Sequence, residues 1–252
     1  VTIPRFLPRD RDAAIVLVLT APLAVWLGIQ VGQPVLMPIL TALPAMLVFA
    51  DRILADRLGA ALGLTVIWAT ASSASVVLHT QWNPAGAEAA IWRGAAYREE
   101  MFTWIRTGIG PEGSPRLFLP QHALHYGVFM VLSALTAGLG GLILGALLLN
   151  YMSFYVGSLF LNDQGSDSSW TLALMGWPIW SIIRVLGFIA GGVAMAWLFR
   201  TAIRRLKDKP DRWPGPASHY FSLSLALVIL DALLKALLAG HWQITLQKAL
   251  AP

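Results

Sequence analysis

Residues 171–199, TLALMGWPIWSIIRVLGFIAGGVAMAWLF, hold a single charged side chain, Arg184, and residues 220–240, YFSLSLALVILDALLKALLAG, hold two, Asp231 and Lys235. Each run reaches the roughly 20 residues that a helix needs to cross the hydrocarbon core of a bilayer. Between them lies a basic loop with Arg200, Arg204, Arg205, Lys207, Lys209 and Arg212. A connection this short predicts an antiparallel hairpin, with Arg184 and Asp231 near the middles of their segments and within about one helical turn of the same depth. A charge left facing lipid costs roughly 2.5–3.5 kcal/mol on insertion scales, so two opposite charges at one depth are expected to pair.

Helical spacing sharpens that expectation. Ser181, Arg184, Gly187 and Gly191 share one face of the first helix, and two glycines four residues apart allow close backbone approach. The second helix places Ser224, Leu227, Asp231 and Lys235 on one face. Asp231 and Lys235 are also an i, i+4 pair. The expected intramembrane charge network is therefore Arg184, Asp231 and Lys235, with the carboxylate answering two cations. Its simplest role is to fix which two helices touch; its alternative role is a substrate or proton pathway.

Composition agrees with a bilayer protein. The chain of 252 residues is 57% hydrophobic and 12% charged, with a mean hydropathy of +0.65, about half the charged content of ordinary soluble domains. Further apolar runs cover 13–30, 34–50 and 58–78, and a double-length run covers 123–161. The first run lacks a small-residue cleavage site and is expected to remain as a helix rather than be removed as a signal peptide. The fold class expected is all-α: one integral membrane domain over 1–252, a polytopic bundle of six to seven membrane-embedded elements.

Arg5, Arg9 and Arg11, the pair Arg52 and Arg57, and the basic loop after Arg200 should share one side of the membrane, the cytoplasmic one by the positive-inside rule. That requires 123–161 to begin and end on the same side. It is expected either to turn as a hairpin near Gly138, Gly140 and Gly141, or to run as one long helix to Asn150 followed by a returning piece, Tyr151–Leu161. A third arrangement would bring the loop 162–170, with Asp163 and Asp167, to the cytoplasmic side. In the second arrangement Asn150, Tyr151, Ser153, Tyr155 and Asn162 would mark a break in the helix. Gly138, Gly141 and Gly145 fall at helix-packing intervals. A prokaryotic cytoplasmic (inner) membrane, with the amino terminus inside, is the expected location.

Residues 80–121 form the one sizeable extramembrane region, with turn material at Asn83–Gly86 and Gly108–Pro115. A helix between the turns would place Ile91, Ala95, Phe102 and Ile105 on a stripe with Arg98, and Arg93 and Glu100 away from it. Trp82, Trp92, Tyr97 and Trp104 suit the headgroup layer. The region is expected to be an interfacial cap.

Motifs for catalysis are missing: there is no phosphate loop, no nucleophile elbow and no dinucleotide fingerprint. Cysteine is absent, which removes disulfides, thiolate ligands and cysteine nucleophiles. Four histidines, His79, His122, His125 and His241, gather on the side opposite the basic loops. No cofactor is predicted, but neutral imidazoles there would serve a metal ion, a haem or a chlorin if the rings converge. Glu99-Glu100 with Arg106, followed by Phe118-x-x-x-His122, resembles the paired-glutamate and FxxxH motifs of CAAX-type intramembrane proteases. The wider glutamate–arginine spacing, the extramembrane setting and the want of a further histidine motif set that resemblance aside.

The functional expectation is a non-catalytic polytopic subunit that scaffolds or stabilises a larger membrane complex, with lipid and other membrane subunits as partners and no nucleic acid. The alternative is a transporter for a small solute or ion that uses the intramembrane charges. A metal- or haem-binding membrane protein stands third.

Overall fold

Apolar runs bounded by turn residues become the helices of a computed structural model that describes residues 9–162, 172, 175–206 and 215–250. The order is α1 (Asp10–Val31), α2 (Leu36–Leu54), α3 (Leu58–Trp82), the short α4 (Pro84–Ala90), α5 (Gly94–Thr107), a 3-10 turn (Pro111–Gly113), α6 (Pro115–Leu135), α7 (Leu139–Leu161), α8 (Ile179–Arg205) and α9 (Ala217–Ala249). Among the described residues there is no strand, and six helices, α1 to α3 and α7 to α9, are long and apolar enough to cross a membrane. Helix α6 packs beside α7 and α8 as a seventh element of the bundle. Arg5, Asp163, Asp167, Lys207, Lys209 and Arg212 lie outside the described residues.

The double-length run is a hairpin. Helix α6 ends at Leu135, the chain turns through Ala137 at φ 54° and Gly138 at φ 89°, and α7 then runs unbroken to Leu161. The break considered near Asn150 does not occur, because nothing there interrupts the helix hydrogen bonds; Asn150 and Ser153 are instead buried within the bundle. A side chain on Gly138 would meet the Phe49 ring and the Ala196 methyl. The turn therefore sits beside the ends of α2 and α8.

That end of the bundle is also the basic end. Asp10 at the start of α1 accepts from Arg52 Nε at 2.9 Å, and Asp56 in the α2–α3 turn is paired with Arg200 near the end of α8. The Arg200 hydrogen bond, against the opposing effect of burial, holds the Asp56 carboxyl below its ordinary range. All the predicted basic regions that are described thus lie together. Gly32, at φ 66°, closes α1 at the opposite end.

The structure corrects two boundaries. The run 171–199 was expected to be one helix, yet α8 begins only at Ile179, after Pro178, because proline lacks the N–H that would continue a helix from the preceding residues. Arg184 is consequently in the second turn of α8 rather than at its middle. The cap is two helices instead of one: Arg93, at φ 58°, separates α4 from α5, so Ile91 precedes the helix it was expected to join. Its buried face is Met101, Trp104 and Ile105. Trp104, expected among headgroups, is 1% exposed, whereas Trp82 is 74% exposed.

Helix α9 has 33 residues, about 50 Å at 1.5 Å per residue, well beyond a bilayer core of about 30 Å. Its last turns reach the cap, where the Gln247 side chain donates to the Arg106 carbonyl at 3.1 Å. Along its first half it lies against α8. Ser224 Oγ donates to the Gly187 carbonyl at 2.7 Å, and a side chain on Gly187 would approach Val228, Leu227 and the Ser224 carbonyl at 3.1–3.3 Å. The Gly191 position faces Ser224 and Met130, and Gly141 faces Ser133, whereas Gly145 has only ordinary contact with Phe129 at 3.8 Å. Replacement of Gly187 by leucine should force α8 from α9 and destabilise the fold by about 1–3 kcal/mol. Thermal unfolding in detergent, with Gly145→Ala as the tolerated control, measures the difference.

Candidate functional site

Arg184 and Asp231 meet as expected. Arg184 Nε donates to Asp231 Oδ2 at 2.9 Å and a terminal guanidinium nitrogen donates to Oδ1 at 3.1 Å. This is the two-pronged geometry that favours arginine over lysine at a buried carboxylate. Asp231 is fully buried, while the Arg184 side chain keeps 19% of its surface uncovered.

Lys235 does not join them. Its Nζ lies 2.7 Å from Glu112 Oε2, on the 3-10 turn between α5 and α6. The expected triad therefore becomes two ion pairs, each carboxylate having its own cation. The second Glu112 oxygen accepts from Trp180 Nε1 at 3.1 Å. Lys235 also stands 4.5 Å from the Phe118 ring centroid, a favourable place for a desolvated ammonium.

His122 lies between the pairs, with Nε2 3.5 Å from Lys235 Nζ and Nδ1 3.5 Å from Asp231 Oδ2. An ammonium can only donate, so Nε2 is the acceptor and the ring proton belongs on Nδ1, directed at Asp231. Both contacts are long, and Nδ1 has no closer polar partner. The imidazole completes a chain Glu112–Lys235–His122–Asp231–Arg184 whose two cations balance two anions. Burial alone would push the Glu112 carboxyl up, but Lys235 and Arg184, with hydrogen bonds from Lys235 and Trp180, hold it below its ordinary value of 4.5.

The other histidines stand apart in role. His79 Nδ1 is 2.8 Å from the Ser75 carbonyl, and the ring meets Trp82 edge-on. His125 is half-buried beside a cleft, and His241 is exposed on α9. Among the described residues no three histidine, aspartate or glutamate side chains are grouped to hold a metal ion. Glu99, on the cap helix, is exposed and ion-paired with Arg98.

Sequence periodicity missed Glu112, Trp180 and the neutral bridging role of His122. Glu112 sits in Gly110-Pro111-Glu112-Gly113, which reads as a solvated turn; a lone acid framed by glycine and proline beside an apolar run was the available signal. The site also borders empty space. An open cleft, walled by Phe49, Trp68, Phe129 and Phe188, has Arg184, His122 and His125 in its polar lining. Comparison with family models, with curated proteins and with solved structures gives no match to this chain.

Removing one member of a buried pair leaves a bare charge, at about 3–5 kcal/mol. Asp231→Asn and Arg184→Met should each lower folded yield, and Arg184→Met with Asp231→Leu should recover much of it; size-exclusion profiles and melting midpoints give the comparison. Glu112, with its folded pKa depressed, contributes stability that is complete above about pH 4.5 and is lost as pH falls further. The midpoint gap between wild type and Glu112→Gln should accordingly be widest near neutrality and shrink on acidification below that value.

Proposed function

We propose that this protein is a non-catalytic membrane protein that binds a small solute within the bilayer and moves it along or across the membrane. The observation that carries this reading is the open cleft, apolar along its walls and lined also by the partly uncovered Arg184 with His122 and His125. Ligand sites commonly combine apolar walls with a few convergent polar groups in this way. The cleft lies where the packing thins: α3 packs on α1, α2 and α7, α8 packs chiefly on α9 and α6, α6 bridges to α7, and α7 and α8 touch only slightly. A seam between two packed groups is where a bundle can rearrange with least loss of contact.

Orientation follows the basic end. With Arg52, Arg57, Arg200 and Arg204 toward the cytoplasm, the amino terminus is inside and the cap faces out, in a prokaryotic cytoplasmic membrane. Subunit scaffolding stood first on sequence, and one observation still favours it as a second reading. The apolar span of α9 is only 17% buried within the molecule, leaving a long face for lipid or for another membrane subunit.

Melting of the purified protein in nanodiscs against a panel of small organic solutes separates the two. Solute handling requires at least one chemical class to raise the midpoint saturably, and Gly145→Phe, which fills the cleft from a position with little crowding, to abolish that rise while keeping the apo midpoint within a few degrees. No stabilising class, together with a stoichiometric partner retained through native purification, would establish the scaffolding role instead.

A further inference from the structure

Four side chains that border the cleft can carry charge or exchange a proton: His122, His125, Tyr151 and Arg184. Three of them are committed. Arg184 keeps its charge, but Asp231 answers it, through Nε at 2.9 Å and a terminal nitrogen, Nη2, at 3.1 Å. His122 is held neutral, with Nε2 3.5 Å from the Lys235 ammonium and Nδ1 3.5 Å from Asp231 Oδ2. A second proton on that ring would set an imidazolium against the ammonium. Tyr151 is a phenol, which takes up no proton near neutral pH.

His125 is different. It is half-buried, borders the same cleft and makes no hydrogen bond or ion pair among the described residues. It lies one turn beyond His122 on α6. The next residue, Tyr126, meets the Phe188 ring at 5.5 Å, and Phe188 lies one turn beyond Arg184 on α8, so His125 and Arg184 stand at one level of the bundle. The groups around His125 are Arg184 on α8 and Arg93 at the start of α5, both cationic, with Tyr151 on α7 and His122 on its own helix bordering the same cleft. Glu112, Lys235 and Asp231, on the 3-10 turn and on α9, are engaged in the ion pairs described above. The two cations disfavour an imidazolium at His125 while the cleft is empty.

Resting on the solute-binding reading above, we propose that the cleft binds a short-chain monocarboxylate together with one proton: the carboxylate accepts from Arg184 Nη1 and from His125, the proton settles on His125, and the alkyl chain lies against the apolar walls. Nη1 makes no hydrogen bond among the described residues. The proton is required by charge. An anion entering beside Arg184 finds that cation already balanced by Asp231, and its own charge would stand uncompensated among Phe49, Trp68, Phe129 and Phe188, where an unpaired charge is costly. An imidazolium at His125 cancels it, so the loaded site is as neutral as the empty one. The free volume of the cleft, about 70 Å3, is several times the roughly 10–15 Å3 that one water needs and suits an acid of about five heavy atoms.

Calorimetric titration of the intact chain in nanodiscs with sodium propionate tests this. Run in Hepes and in Tris at about pH 7.5, where a free imidazole is mostly neutral, it counts the protons exchanged from the difference in apparent enthalpy between the buffers. About one proton should be taken up per propionate bound, and affinity should fall by up to about tenfold when the pH is raised by about one unit. Propionamide, of the same shape without the charge, should bind at least about tenfold more weakly and take up no proton. His125→Gln should keep the melting midpoint of the empty protein within a few degrees, weaken propionate binding by about tenfold, and abolish both the proton uptake and the pH dependence. Gly145→Phe should abolish binding. Propionate bound without proton uptake, uptake undiminished in His125→Gln, or binding that survives Gly145→Phe would overturn the proposal. Equal affinity for propionamide would overturn it too, as would displacement by chloride at equal concentration, in favour of an inorganic anion. No propionate binding, alongside a neutral solute whose stabilising effect is lost in Gly145→Phe, would refute the anion and its proton while leaving solute handling intact.

Discussion

The ion pair between Lys235 and Glu112 is the contact on which the arrangement depends. It joins a residue deep in α9 to a 3-10 turn of the cap, and it does so where water is scarce, so neither charge has an alternative partner in bulk solvent. Without Glu112, Lys235 would compete with Arg184 for Asp231, and His122 would sit beside unbalanced positive charge. With it, the cap is fixed over α8 and α9, Trp180 is held by the same carboxylate, and the Arg184–Asp231 pair is left self-contained. The long α9 makes this geometry available, because it extends beyond the bilayer core to reach the cap.

The neutrality of the network bears on what the site can do. Two cations, two anions and a bridging imidazole satisfy one another without an external ion, so the charges on α9 are spent on architecture. Arg184 and His122 both belong to the network and border the open cleft. There the charge network meets open space in the bundle. Apolar walls lower the local dielectric and so strengthen a charged contact made beside them.

Much of this was legible in the sequence, for identifiable reasons. The pairing of Arg184 with Asp231 follows from hydropathy, loop charge and the Gly187–Gly191 face, each a property of a short segment or of two neighbouring helices. The parity of the basic regions required 123–161 to return to its starting side, and Gly138 supplied the turn. The proline at 178 made the start of α8 later than hydropathy suggests, because transfer free energy registers an apolar run but not the loss of a backbone donor. Arg93 in a left-handed conformation divided the cap for a similar reason: no periodicity signals a single dihedral angle.

The sequence by itself determined that the chain is a helical membrane bundle, which ends of the helices lie together, and that α8 and α9 share a charged contact. Those conclusions rest on local quantities: the length of apolar runs, residue spacing on one helix and the charge of short loops. Only the tertiary structure decided that Lys235 belongs to Glu112, 123 residues away, that His122 bridges the two pairs, and that an apolar cleft borders Arg184. Partner choice among several buried charges depends on how separate helices are placed around one another, and empty space is left by packing rather than encoded at any position in the chain.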